Sequence, residues 1–222
     1  MTIFKKIFVL AGLLIIGLTV FNPFAQQVSA SEYDVLVAQL RKDDWHTHFS
    51  DSAGREKLDN SIETLLELAK NGGLDWVIRI RGIILLSETS GPRKVNILIG
   101  MYQDAFFNDE CPAIKTSVIT ALGSFEKEPR IIDTLIDGMN DRELQVREAA
   151  IVALGKMGDE KAVPFLIKKL SDPSFAIRLS AVRSLGQIKD QRAVPFLKKI
   201  SASDQDDLIR SEAISAIENM QS

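Results

Sequence analysis

Cysteine occurs once in the 222 residues, as Cys111, and histidine twice, as His46 and His48. A single thiol excludes an intrachain disulfide and any zinc cage built from cysteines. Aromatic residues are only 7% of the chain, and 13 Gly with 7 Pro fit neither a low-complexity nor a β-rich protein. Neither sign of charge dominates: 27 Lys and Arg stand against 30 Asp and Glu, a formal charge of −3. That balance excludes a polyelectrolyte tail and sets nucleic acid aside as a partner, since phosphate neutralisation needs clustered bases. What is present is a 45% apolar fraction, ordinary for a chain with a core, and one dense apolar block at the start.

Lys5 and Lys6 precede an apolar run from Ile7 to Phe21, interrupted only by small residues and Thr19. Asn22-Pro23, Gln26-Gln27 and Val28-Ser29-Ala30 follow. A positive start, a 15-residue apolar run and small residues at −3 and −1 describe a secretory signal, residues 1–30, cleaved after Ala30. The alternative is an uncleaved anchor. Fifteen helical residues reach about 22 Å, short of a hydrocarbon core of about 30 Å, and Pro23 discourages continuation of the helix. No cysteine follows the run, which argues against a lipoprotein. Removing residues 1–30 takes two lysines and no acid, leaving a formal charge of −5. The expectation is an exported protein of bacterial type, periplasmic first and extracellular second, meeting a membrane only if the segment stays attached.

Laid over itself, the rest of the chain repeats. Ala162-Val163-Pro164-Phe165-Leu166 returns as Ala193-Val194-Pro195-Phe196-Leu197, and Leu154-Gly155 as Leu185-Gly186, both 31 residues later. A β-branched residue followed by a base recurs at Arg79, Lys115, Arg147, Arg178 and Arg210, at offsets of 36, 32, 31 and 32. Three, four and seven residues beyond each base lie mostly small, then branched, then Leu or Ile side chains, such as Ala150, Ile151 and Leu154. That spacing is one face of a helix. Gly123, Gly155 and Gly186 follow, where a left-handed helix end is expected. Val163, Leu166, Ile167 and Leu170 mark a second helix, with Pro164 in its first turn. Asp109, Asp141, Asp172 and Asp204 each stand six residues before a base, and Asp172-Pro173 reads as an N-cap and first helical residue. The prediction is an all-α solenoid of stacked helical hairpins in which the Asp and base columns form a structural ladder.

These Asp, Val/Ile-Arg, Ala-Leu-Gly and Ala-Val-Pro-Phe-Leu columns resemble the HEAT-like repeats of phycobilisome lyases, over residues 75 to 220 and best from Asp141 to Asp204. The resemblance implies a protein-interaction solenoid. Lyase activity belongs to particular members and does not travel with the repeat. Tetratricopeptide and ankyrin repeats fit worse, since their aromatic and Thr-Pro-Leu-His signatures are missing. HEAT-like di-iron hydroxylases use His-Glu pairs, and this chain has none. Two departures stand out: Gly73 occupies the first Asp position, and the last unit stops after one helix.

Residues 31–74 read as N-terminal capping helices and 75–222 as the solenoid. In the cap, Tyr33, Leu36, Val37 and Leu40 share one helix face, and a second helix is predicted from about Arg55 to Lys70. Between them His46 and His48, with Asp43, Asp44 and Asp51 nearby, are weak candidates for metal ligands at a spacing that matches no specific template. The long first offset points to the connector holding Phe106 and Phe107, which either anchor a partner or fold back over the neighbouring hairpin. Cys111 beside it is expected to be buried. If second helices line the inner curve, Lys168, Lys169, Lys198 and Lys199 give it a positive strip for an acidic protein partner. No nucleophile elbow, Gly-rich phosphate loop or Cys-His pair is present, so neither an enzyme nor a cofactor is implied. The reading is a non-catalytic interaction or assembly scaffold outside the cytoplasm. The alternatives are a lyase-like enzyme or small-ligand-binding solenoid, or the same scaffold on an uncleaved anchor.

Overall fold

The computed structural model describes residues 30–104 and 111–221, and among these every regular element is helical. Residues 1–29 of the signal segment, Phe106, Phe107 and Asp109 lie outside the described residues. The cap comprises α1 (Ala30–Leu40), a 3-10 turn (Trp45–Phe49), α2 (Ser52–Asn60) and α3 (Ile62–Lys70). The helix predicted over 55–70 is thus broken in two. At the break, Ser61 turns its hydroxyl onto the Lys57 carbonyl, 2.9 Å away, and towards Glu32 of α1. Asp51 starts α2 by accepting from the Gly54 amide at 2.7 Å.

Five first-row helices carry the base column: α4 (Trp76–Glu88), α6 (Pro112–Leu122), α8 (Leu144–Met157), α10 (Phe175–Ile188) and α12 (Asp207–Gln221). Between them run the second-row helices α5 (Arg93–Gln103), α7 (Pro129–Gly138), α9 (Val163–Lys169) and α11 (Val194–Ser203). Ile83, Ile119, Ile151 and Val182, four residues past the base, are fully enclosed. Each such side chain contributes about 1.5–3 kcal/mol by leaving water. Ile214, the same position in α12, is 48% exposed because no sixth unit covers it among the described residues.

First-row helices pack directly on one another from α4 to α12, whereas second-row helices touch each other little. The reason is in the small residues. A Cβ at Gly123 would meet Ala153 Cβ at 2.5 Å, one at Gly155 the Ser184 hydroxyl at 2.5 Å, and one at Gly186 Ala216 Cβ at 2.9 Å. Gly155 and Gly186 therefore lie inside their helices, and Gly123, the C-cap of α6, keeps a right-handed backbone at φ −69°; all three let the next helix approach, and none is the left-handed end that the sequence pattern implied. The left-handed ends lie further on, at Gly158 (φ 63°) and Lys189 (φ 60°). Two rows with unequal spacing bend a stack towards the closer row, so the first helices form the inner face. This reverses the placement expected for the second helices.

The Asp column stands two residues before the N-cap of each first helix. Asp141, Asp172 and Asp204 each accept, through Oδ1, the amide two residues on, at 2.9 to 3.0 Å. For Asp172 the cap residue is Ser174, and the helix begins at Phe175. Among the described residues the ladder forms at two rungs. Lys115 pairs with Asp141 of the next unit, both side chains buried. Arg178 Nε donates to Asp204 Oδ2 at 2.9 Å. At the other rungs the base serves its own unit: Arg147 donates to the Asp141 and Arg142 carbonyls, and Arg210 to the Asp204 carbonyl. Arg79 reaches back to the Ala69 carbonyl at 2.9 Å, tying the solenoid to the cap.

Candidate functional site

On each first-row helix the residues three before, one after and five after the base form a stripe, because they are four apart on a helix. Each step of four turns the stripe further from the core face and onto the inner surface. In α4 it is Trp76, Ile80 and Ile84; in α8 it is Leu144, Glu148 and Val152; in α10 it is Phe175, Leu179 and Arg183. Among the described residues nine large apolar side chains are exposed, and seven belong to first-row helices: Trp76, Ile84, Leu144, Val152, Phe175, Leu208 and Ile214. Trp76 is 51% exposed and Phe175 41%. Pro112 of α6 occupies the same position as Trp76, Leu144 and Phe175; in α12 Asp207 stands there, with Leu208 beside it. The inner face thus carries large exposed apolar side chains in register on α4, α8 and α10, with Pro112 between them on α6 and Asp207 ending the column on α12. Scattered exposed apolar residues need no explanation, but a row in register is the signature of a contact surface.

Charges of both signs border the ribbon. On the side of the connectors entering the first helices stand Asp75 and Asp172, and Asp172 lines one cleft with Lys168 and Lys169. Asp204 and Asp206 share the one cation of Arg178, which leaves a carboxylate in excess there. The neighbouring Glu143 and Asp207 are matched by Arg142 and Arg210. At the opposite ends of these helices both signs are exposed, Lys156 and Lys189 alongside Glu88 and Glu218. In the middle of the ribbon Arg183 pairs with Glu212 at 2.6 Å, and Glu148 accepts from the Ser180 hydroxyl at 3.2 Å.

The HEAT repeats family matches residues 103–169 and 132–218, together more than half of the sequence. The chain belongs to the HEAT repeat family. No curated protein matches it in sequence. Among solved structures it is similar to the complex of CpcE and CpcF of phycocyanin lyase from Nostoc sp. PCC7120, at 23% identity and a TM-score of 0.57, over 71% of this chain and 98% of that one. A designed armadillo repeat protein in complex with the peptide (KR)4 aligns at 18% identity and a TM-score of 0.52, over 85% and 99%. Human deoxyhypusine hydroxylase aligns at 19% and 0.52, over 77% and 66%. At these identities the likeness is one of fold.

Within this HEAT solenoid the lysines named from sequence sit on the wider-spaced outer row. Lys168 Nζ lies 5.6 Å from the Phe165 ring centroid, and Lys169 donates to Asn140 Oδ1 at 3.0 Å. Both line a cleft of about 420 Å³ between α7 and α9. Lys198 and Lys199 are exposed on α11. The four are brought to the outer side and not to the inner one.

His46 and His48 fall in the 3-10 turn of the cap. His46 stacks edge-on against Trp45, and His48 Nε2 lies 3.9 Å from Asp44 Oδ1. Among the described residues no three His, Cys, Asp or Glu side chains gather as metal ligands. Cys111, expected to be buried, is exposed as the residue before α6. Its position ahead of Pro112 leaves the side chain outside the helix packing.

One polar cluster was not foreseen. Tyr102, Lys115, Asp137 and Asp141 line a cleft of about 380 Å³ beside the connector into α8. Lys115 Nζ sits 5.0 Å from the Tyr102 ring centroid. Burial, with Asp137 and Asp141 adding to it, pushes the Tyr102 phenol well above its ordinary range, so it stays protonated. The cluster is the Lys115 rung of the ladder with a phenol laid over it.

Proposed function

We propose that the chain is an exported, non-catalytic scaffold that holds a protein partner on its inner face. The observation that carries this reading is the in-register apolar ribbon of Trp76, Leu144 and Phe175. A rigid stack of helices offers such a row without reorganisation, which limits the entropic cost of binding. Two structures of similar fold support the reading by analogy: one is the complex of CpcE and CpcF, the other holds a peptide. The signal-like start of the sequence supports a position outside the cytoplasm, in the periplasm first, with residues 1–30 removed.

Affinity capture from the envelope fraction tests both halves. The tagged chain is expected to begin at Ser31 by intact mass and to bring down a reproducible partner. Leu144→Glu with Phe175→Glu is expected to lose that partner by at least tenfold, while Lys168→Glu with Lys199→Glu retains it. Loss on the outer pair and retention on the inner pair would move the site to the lysine row.

A further inference from the structure

We infer that the outer face of the second-row helices α9 and α11 is a docking surface for an anionic lipid membrane. This surface stands apart from the inner face and does not depend on which partner is held there.

The recurring Ala-Val-Pro-Phe-Leu segment repeats Phe165 as Phe196, and a lysine follows each ring by three residues, Lys168 and Lys199. Residues three apart share a helix face, and Lys168 Nζ lies 5.6 Å from the Phe165 ring centroid. Among the described residues Phe196, 46% exposed, is the one large apolar side chain left exposed on a second-row helix. Lys169 and Lys198 complete a set of four cations, and no acid occurs from Lys161 to Ser171 or from Gln191 to Ser203. The other bases of these stretches are already matched, Lys161 by Asp133 and Arg192 by Asp190. Among the described residues none of the four lysines pairs with a carboxylate; Lys169 donates to the Asn140 amide oxygen instead. One acid, Asp172, reaches the cleft that Lys168 and Lys169 line, and its Oδ1 already accepts the Ser174 amide. The next second-row helix, α7, carries Asp133 and Asp137. The positive surface is therefore confined to α9 and α11, on a chain whose formal charge is −3.

Shape and chemistry select the occupant. The second row is the convex side of the stack, and a convex face encloses no peptide, whereas a bilayer offers a broad anionic plane on which two adjacent helices can both lie. Lysine is a compact charge on a flexible stem and accepts phosphates in many arrangements, unlike the fixed fork of arginine. Rings and lysines on one face form an interfacial pattern: the rings enter the headgroup–acyl boundary, about 5–10 Å deep, and the lysine stems carry their charges up to the phosphates. Among the described residues no helix is long and apolar enough to cross a membrane, and this contact requires none. Each lysine near an anionic surface strengthens binding about fivefold, an attraction that salt screens. With the outer row on the membrane, the inner face points away from it and stays open to a partner.

The test is co-sedimentation of the chain, purified from the cells that produce it so that every variant carries the same N-terminus, with vesicles of phosphatidylcholine containing about one-third phosphatidylglycerol. Binding is expected at low salt, with release at about 0.5 M salt and none to phosphatidylcholine alone. Lys168→Gln, Lys169→Gln, Lys198→Gln and Lys199→Gln together are expected to weaken binding about a hundredfold, with the helical circular dichroism unchanged. Phe196→Ser, at an exposed position, is expected to weaken it severalfold. Leu144→Glu with Phe175→Glu is expected to leave vesicle binding intact, which separates this surface from the inner one. No binding to the anionic vesicles, equal binding to neutral ones, or unchanged binding by the glutamine variant would overturn the inference while leaving the scaffold reading standing. An acidic protein held by the parent and lost by the glutamine variant, with vesicles bound by neither, would make the occupant a protein and overturn it as well.

Discussion

Arg178 carries the clearest energetic consequence of the ladder. Its side chain is 7% exposed and that of Asp204 4%. The guanidinium donates to Asp204 at 2.9 and 3.2 Å, to Asp206 at 2.6 Å, and to the Asp172 and Pro173 carbonyls at 3.1 and 3.3 Å. One side chain therefore closes its own connector and grips the next. Burial alone would raise the Asp204 carboxyl, but the Arg178 guanidinium and the Asp206 amide hold it below the usual carboxylate range. Arg178→Ala leaves that carboxylate buried without its cation, a loss of about 3–5 kcal/mol. Arg178→Met with Asp204→Leu removes both charges and keeps the volume. It forfeits the Asp206 amide bond to Asp204 and the guanidinium's bonds to Asp206 and to the Asp172 and Pro173 carbonyls, so the expected cost is about 2 kcal/mol, below that of the single variant. Urea unfolding followed by circular dichroism measures both. Because each unit contacts only its neighbours, the single variant is also expected to melt α11 and α12 ahead of the rest, seen as a broadened transition with a lower apparent m. A single variant within about 1 kcal/mol of the parent, or a double variant as damaged as the single, would refute the account.

Acid provides a second handle on the same rung. Asp204 has a lowered folded-state pKa, so its contribution is present above the unfolded carboxylate value of about 3.9 and disappears as pH falls through the folded value. The stability gap between the parent chain and Asp204→Asn is therefore expected to close on acidification below about pH 4; a gap that widens contradicts the sign. Gly155→Leu drives a side chain into Ser184 across the α8–α10 contact and is expected to cost about 1–3 kcal/mol by calorimetry. Gly158→Ala meets no atom and costs only the left-handed backbone, about 1 kcal/mol; equal losses at the two sites would undo the case for close helix approach. Cys111 is expected to react fully with iodoacetamide in the folded protein, as its exposure requires, and protection until denaturant is added would contradict that.

Much of the fold was legible because repetition amplifies weak signals. Ile151 alone is ambiguous, but its recurrence as Ile83, Ile119 and Val182 identifies a core row, and all four are enclosed. What the repeat concealed was the reason for each column. A glycine after an apolar helical face reads as a helix end, yet at Gly123, Gly155 and Gly186 the missing Cβ serves the neighbouring helix, and only the distance to Ala153, Ser184 or Ala216 reveals it. The same distances decide which row is inner, a property of pairs of helices that no single helix encodes. From that follows the misplacement of the lysines. Lys168 and Lys199 are conspicuous as charges on a polar face, whereas Trp76, Leu144 and Phe175 pass as three more core residues until burial is known. Their signal was present nonetheless. In steps of four, Leu144 leads to Glu148 and Val152, and Phe175 to Leu179 and Arg183, rows that turn away from the core face marked by Ile151 and Leu154 and take on charge as they go. An apolar column that opens such a row stays exposed in the folded chain, and that exposure is the ground on which the proposed docking face rests.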